Sequence, residues 1–218
     1  MTMATYSLAT SVGPERQRFS AASPKTFTAT QVAPRTPEEA SALLSRAERI
    51  FRSGVTTEPL LELTRFLGAN SHAWTPANRA RLRRVIAGFG TAAIDAVVTT
   101  MHAHPRTDIL DEAELVLRGL PPDSIGRVRR LVAEQSLLPG VRACLLRAAV
   151  RAGGPGTAEV LYAALNDVEP ELREGAASLV SEFDIPNGRT MLERRLARET
   201  NTFVKDTIRE TLTFLARY

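Results

Sequence analysis

A pattern with a period of 31 or 32 residues runs from about residue 57 to the end of the chain, and it constrains the fold more than any other feature. Val85-Ile86, Val116-Leu117, Ala148-Ala149, Leu179-Val180 and Thr211-Leu212 follow one another at that spacing. Three residues after each pair stands a further mostly bulky apolar position: Phe89, Leu120, Ala152, Phe183 and Leu215. A second ladder, Phe66, Val97, Val128, Val160 and Met191, runs between the first at the same period. One helical hairpin fits such a period. A hairpin that small cannot bury its apolar side alone, so successive hairpins must stack. The pattern predicts an all-α chain, an α-solenoid of five hairpins. They are expected at about 57–69 with 76–89, 91–103 with 108–120, 123–136 with 139–152, 157–166 with 169–183, and 188–199 with 202–217. Gly and Pro punctuate most of the joints, and no segment alternates as a strand would.

The array has a predicted N-terminal cap over 36–53. Thr36 suits an N-cap, Pro37 the first helical position, and Glu39 the reciprocal place in a capping box. Ala40, Leu43, Leu44, Ala47, Ile50 and Phe51 then fall on one face. Thr75 and Pro76 repeat the same start signal further along.

Residues 1–35 differ in kind. They are rich in Ser, Thr, Ala and Pro and show no sustained periodicity. Through residue 36 the basic residues Arg16, Arg18, Lys25 and Arg35 face only Glu15, a net of +3; the whole chain carries +4, so the other 182 residues are nearly neutral. Tyr6, Leu8, Val12, Phe19, Phe27 and Val32 dot this basic segment. Fully extended it would reach on the order of 115 Å. Three readings stand beside one another: a disordered terminus, a docking arm, and an organellar transit peptide. As a docking arm, its candidate partner-binding residues are Tyr6, Leu8, Arg16, Arg18, Phe19 and Phe27, and the positive charge favours an acidic partner surface. Trp74, in the loop between the first hairpin's helices, is a further candidate aromatic for partner contact.

The single cysteine, Cys144, excludes an internal disulfide and favours a reducing, cytoplasmic setting. No run of about 18 uncharged apolar residues occurs, so no membrane span is expected.

The stretch Asn166-Asp167-Val168-Glu169-Pro170-Glu171-Leu172-Arg173-Glu174-Gly175-Ala176-Ala177-Ser178-Leu179-Val180 places an acid in a turn, then a proline, then a branched residue beside Arg, then small residues. The next unit has Glu199, Val204-Lys205 and Ile208; the preceding one has Ser136, Pro139, Val141-Arg142 and Cys144-Leu145. This pattern resembles the HEAT-repeat superfamily, and most closely the short, roughly 30-residue HEAT-like form of phycobilisome-lyase-type repeat proteins. The resemblance covers about residues 90–218. It fades toward the N-terminus, where Leu110-Asp111 puts an acid in the Arg or Lys place. It implies a solenoid with one concave and one convex face that binds other proteins; a minority of the short-repeat relatives attach or remove bilin chromophores on phycobiliproteins. Within the pattern a turn acid precedes a basic residue by six positions, so Asp167 with Arg173 and Glu199 with Lys205 are expected as a structural ladder fixing repeat register, with Arg142 one repeat earlier.

No catalytic, cofactor or metal site is expected. His102 and His104 lie two apart on a helix end, which points their rings about 200° from each other. Cys144, among Val141, Leu145 and Ala148, reads as a buried small hydrophobe without a histidine in register. Three arginine clusters, Arg79-Arg81-Arg83-Arg84, Arg127-Arg129-Arg130 and Arg189 with Arg194-Arg195-Arg198, read as solvated helix surface. A near-neutral body with few aromatics makes nucleic acid an unfavoured partner. The expected function is a non-catalytic scaffold or linker in a larger protein assembly, with a light-harvesting phycobiliprotein complex as the setting suggested by analogy. The alternatives are lyase-like or chaperone-like handling of bilins and nucleic-acid binding.

Overall fold

The structure, a computed structural model, describes residues 33–52, 58–69, 71–183 and 185–217. Among these residues there are eleven α-helices and no strand. They are α1 (Pro37–Arg52), α2 (Glu58–Thr64), α3 (Pro76–Gly88), α4 (Thr91–Ala103), α5 (Thr107–Arg118), α6 (Pro122–Val132), α7 (Pro139–Ala152), α8 (Thr157–Leu165), α9 (Pro170–Glu182), α10 (Gly188–Leu196) and α11 (Thr202–Leu215). The odd-numbered helices pack one on the next from α1 through α11, and the even-numbered helices do the same from α2 through α10. Two layers result, joined across each turn.

The start signals act as the sequence implies. The Glu39 amide donates to Thr36 Oγ1 at 3.2 Å, and the Asn78 amide donates to Thr75 Oγ1 at 3.2 Å. The Glu39 carboxylate reaches back to the Arg35 amide, at 2.7 Å, one residue before the N-cap that a standard capping box would serve. That bond and the burial of Pro34 fix the chain before α1, so the ordered body begins ahead of residue 36. Tyr6, Leu8, Arg16, Arg18, Phe19 and Phe27 lie outside the described residues.

Among the first helices of the expected hairpins, α4 and α8 match their expected limits to within a residue, while α2, α6 and α10 stop short of theirs. α2 stops at Thr64, where Phe66 and Leu67 donate to the carbonyls three residues back and tighten the chain into turns. α6 stops at Val132 and α10 at Leu196 in the same way, each a few residues before the expected limit.

Both ladders face inward. Val85, Ile86, Val116, Leu117, Ala148, Ala149, Leu179 and Val180 are buried along the odd layer, and Val97, Val128 and Val160 along the even one. Ala148, Ala149, Ala176 and Ala177 are fully enclosed, which lets α7 and α9 approach closely. At the joint before α10, Gly188 lies so near Val180 that a Cβ would stand 2.7 Å from its Cγ1. Among the described residues no helix is long and apolar enough to cross a membrane.

Candidate functional site

The most organised polar structure lies at the turns entering α7, α9 and α11. Arg142 is 2% exposed. Its Nε donates to the Val132 carbonyl at 2.7 Å, and its two terminal nitrogens grip the Asp167 carboxylate, Nη1 to Oδ1 at 3.1 Å. One repeat later Arg173 does the same to Glu199, with Nε to Oε2 at 2.8 Å and Nη2 to Oε1 at 2.9 Å. Its remaining nitrogen, Nη1, donates to the carbonyls of Asp167 and Val168 at 3.0 and 2.8 Å. Each arginine therefore ties the turn behind it to the carboxylate of the turn ahead. The expected pairs, Asp167 with Arg173 and Glu199 with Lys205, are not the pairs formed. The carboxylate six residues before each basic residue belongs to the previous partner, and the stacking offsets the bond by one repeat. No carboxylate lies within salt-bridge distance of half-buried Lys205 among the described residues, because no turn follows α11 there to supply one.

The acids are bound accordingly. Burial opposes ionisation of Glu199, but Arg173, the Asn201 amide, Arg195 and the Thr200 amide outweigh it and hold the carboxyl down to about 2. Burial also opposes ionisation of Asp167, and Arg142 together with the Glu169 amide holds it below the ordinary carboxylate range. These are charge-assisted bonds in a shielded place, where every polar atom has a partner.

A second set of ion pairs crosses the odd layer from helix to helix. Arg81 of α3 holds Glu48 of α1 with two bonds of 2.8 Å and also reaches Ser41 and Ser45. Arg83 of α3 meets Glu112 of α5 at 2.8 Å. Glu114 of α5 is 6% exposed and is shared by Arg147 and Arg151 of α7. Arg151 extends to Glu182 of α9 at 3.0 Å. The helices alternate in sign to suit. α3 carries four arginines and no acid; α5 has four acids against Arg118; α7 has three arginines and no acid; α9 has three acids against Arg173. That alternation can be read directly in the chain and is the signal the cluster-by-cluster reading passes over.

Of the clustered arginines, Arg79, Arg81, Arg83, Arg127, Arg129 and Arg195 are half-buried and bonded within the body, while Arg84, Arg130, Arg189, Arg194 and Arg198 are exposed, as a solvated surface would have them. Arg127 pairs with Asp95. Arg129 is wrapped by the glycine-rich joint before α8, donating to the carbonyls of Gly153 and Pro155 and, at 3.3 Å, to Thr157 Oγ1. Gly153, Gly154 and Gly156 have φ of 68°, 84° and 85°, which turns those carbonyls onto the guanidinium. Arg189 meets Glu193, and Arg195 meets Glu199.

Trp74 is 3% exposed and lies against Phe66 with ring centroids 5.1 Å apart. It is a core residue, and the reading of it as a partner-facing aromatic is corrected. Its position just before the N-cap Thr75, where apolar side chains commonly fold inward, is the signal for this. Cys144 is fully buried, its thiol facing the Leu110 carbonyl at 3.2 Å; burial foremost, with Glu114 and Asp111 nearby, pushes it up to about 12 against the pull of Arg147. Such a thiol is not a nucleophile at neutral pH. His102 and His104 are exposed, and no group of three or more His, Cys, Asp or Glu placed to hold a metal ion occurs among the described residues.

No protein-family model matches the chain, and no curated protein matches it in sequence.

Exposed large apolar side chains are spread along the described residues, from Phe51 and Leu61 to Phe214, and the two most exposed lie toward the C-terminal end. Val168, in the turn before α9, is 69% exposed, and Phe203, in the first turn of α11, is 78% exposed. Thr207 of α11 donates to Glu174 of α9 at 3.5 Å, so the two helices run side by side in register and bring these first turns together. Glu171 and Glu174 of α9 and Asp206, Arg209 and Glu210 of α11 are exposed on the same two helices, with Arg209 paired to Asp206 at 2.8 Å.

Proposed function

We propose that the chain is a non-catalytic scaffold, an α-solenoid of HEAT-like hairpins that joins protein subunits of a larger assembly. The observation that carries this reading is the division of labour among its side chains. The buried charges bind one another across repeats, while Val168 and Phe203 are held out from rigid helix starts at the C-terminal end. An exposed aromatic on a preorganised helix is the kind of residue that dominates an interface. Charges of both signs on α11, Lys205, Asp206, Arg209 and Glu210, favour a partner surface of mixed apolar and polar character. Residues 1–24, which carry Arg16 and Arg18 against Glu15, would engage a second partner, so the two ends of the chain would bridge different subunits. A phycobiliprotein assembly as the setting rests on the repeat resemblance alone.

The test is capture of partners from the native source by chemical cross-linking, followed by binding measurements with each purified partner. Phe203→Asp should weaken one partner by at least about tenfold, the loss expected when an interface anchor is removed. Deletion of residues 1–24 should abolish a different interaction and leave helical content unchanged. Undiminished capture by both variants would refute the scaffold reading.

A further inference from the structure

The joint between α9 and α10 holds the one place in the chain where an asparagine precedes a glycine, Asn187-Gly188; the other asparagines precede Ser71, Arg79, Asp167 and Thr202. An asparagine side chain can be attacked by the main-chain nitrogen that follows it, and a following glycine, lacking Cβ, hinders that attack least. Asn187 is exposed, and its side chain makes no capping bond to the helix it precedes. Among the described residues it is the only non-glycine with positive φ, at φ 61° and ψ 16°. Gly188 is buried against Val180, and its N–H donates to the Ile185 carbonyl at 2.9 Å.

The side chain is thus accessible, but the nitrogen is not placed to attack it. Ring closure needs the Gly188 nitrogen to eclipse Asn187 Cβ about the Cα–C bond. A ψ of 16° sets it almost eclipsed with Asn187's own nitrogen instead. Swinging ψ round would break the bond to Ile185 and lift Gly188 off Val180. It would also pull the Asn187 carbonyl from the Met191 amide, which donates to it at 3.0 Å. We propose that Asn187-Gly188 is a deamidation site gated by the fold, closed while the start of α10 is seated and open when it lifts. In the open form the Gly188 nitrogen gives up its proton and bonds to Asn187 Cγ. The Cγ–Nδ2 bond breaks, and ammonia leaves with that proton. Water then opens the succinimide at one carbonyl or the other. Opening at the side-chain carbonyl restores the main chain with an aspartate at the N-cap, where a carboxylate suits the helix start. Opening at the main-chain carbonyl routes the chain through Cβ and Cγ, one atom longer, so Gly188 cannot regain its place against Val180. The two products act oppositely on α10. This assignment is independent of the scaffold reading.

Peptide mapping by mass spectrometry on the full chain, held at mildly alkaline pH, follows the amide-to-acid conversion at each asparagine. Labelling by an isoaspartyl methyltransferase measures the isoaspartate share. In urea, conversion should be greatest at Asn187. In the folded chain, conversion there should be at least about tenfold slower, because only the opened form reacts. Urea below the unfolding transition should speed conversion and hydrogen exchange of the Gly188 amide by the same factor. Asn187→Asp, which imitates the product with an intact main chain, should leave exchange in α10 unchanged. Chain enriched in isoaspartate should exchange its α10 amides at least about tenfold faster, with α3 and α5 unchanged. Equal conversion rates in the folded and unfolded chain would overturn the gate, as would conversion that stays constant while the Gly188 amide exchanges faster. Faster conversion in urea at Asn78, Asn166 or Asn201 would overturn the site, and isoaspartate without faster exchange in α10 would overturn the account of its products.

Discussion

Glu199 offers the sharpest probe of how the repeats are held together. Its carboxylate has no exposed surface and accepts from Arg173, Arg195 and the amides of Thr200 and Asn201. Holding the carboxyl at about 2 instead of 4.5 corresponds to about 3 kcal/mol in favour of the folded, ionised form, at ~1.4 kcal/mol for each tenfold change. The sign follows from the direction. A carboxyl lowered by folding contributes its stabilisation fully above the unfolded value of 4.5 and loses it as pH falls toward 2. Glu199→Gln keeps the shape and removes the charge, leaving buried Arg173 without a counter-ion and with one amide oxygen in place of two carboxylate oxygens, beside the Asp167 and Val168 carbonyls. The variant should lose about 3 kcal/mol at pH 7, at the lower end of the usual cost of breaking a buried pair. Because the tie joins α9 and α10 to the turn before α11, the loss should register first as faster hydrogen exchange in α10 and α11, roughly a hundredfold, with α3 and α5 unchanged. The difference between variant and parent should shrink between pH 4.5 and 2. A loss below 1 kcal/mol, or one that does not vary with pH in that window, would show that Glu199 does not hold the last hairpin. An acceleration spread evenly over all helices would refute the local character of the tie.

Three further outcomes follow from single positions. Arg142→Met removes a guanidinium that is 2% exposed and strands the Asp167 carboxylate, so it should cost about 3 kcal/mol by urea unfolding; adding Asp167→Leu should recover part of that, since a well-packed apolar pair can replace a buried ion pair. Gly188→Ala drives a Cβ into Val180 and should destabilise by about 1–3 kcal/mol, with Val180→Ala in the same chain giving relief beyond additivity. Cys144, with a thiol pushed up to about 12, should resist thiol reagents at pH 8 in the folded protein and react at once in denaturant; fast labelling of the native protein would contradict its burial.

The helices were legible because their determinants are local and periodic. Two ladders at one period, Thr-Pro starts before α1 and α3, and Gly and Pro at the joints together mark the second helix of each hairpin to within a few residues. Among the first helices, α2, α6 and α10 were less legible: the apolar pattern continues past Thr64, Val132 and Leu196 because the turns that follow also face the core. Turn contacts were harder still. Sequence proximity couples Asp167 to Arg173, but the chain stacks each second helix beside its counterpart one period on, so Arg173 meets Glu199 instead. Trp74 misleads for a related reason. A loop tryptophan suggests an exposed anchor, yet here the loop folds over Phe66 and closes the core. The exposed residues of α11 could not be separated from its buried ones by type, since Phe203 and Ile208 are both apolar; only the packing of α11 on α9 distinguishes them.

The charge alternation along the odd layer has a consequence for how the array assembles. Hairpins of similar size and similar apolar faces can in principle stack out of order, because small and aliphatic ladders such as Ala148-Ala149 and Leu179-Val180 discriminate weakly among neighbours. Ion pairs worth little in isolation still discriminate, since a wrong neighbour replaces attraction by repulsion. In the native order α3, rich in arginine, meets acidic α5, which meets arginine-bearing α7, which meets acidic α9. Omitting one hairpin would set α3 against α7 and place Arg83 and Arg84 opposite Arg147 and Arg151 with Glu114 removed from between them. The cost of that misplacement comes from the ion pairs lost at Arg83, Arg147 and Arg151 and from the repulsion that replaces them. The body's near-neutral charge is therefore a balance of strongly charged helices, and several of the clustered arginines, Arg81, Arg83 and Arg127 among them, pair with carboxylates of neighbouring helices.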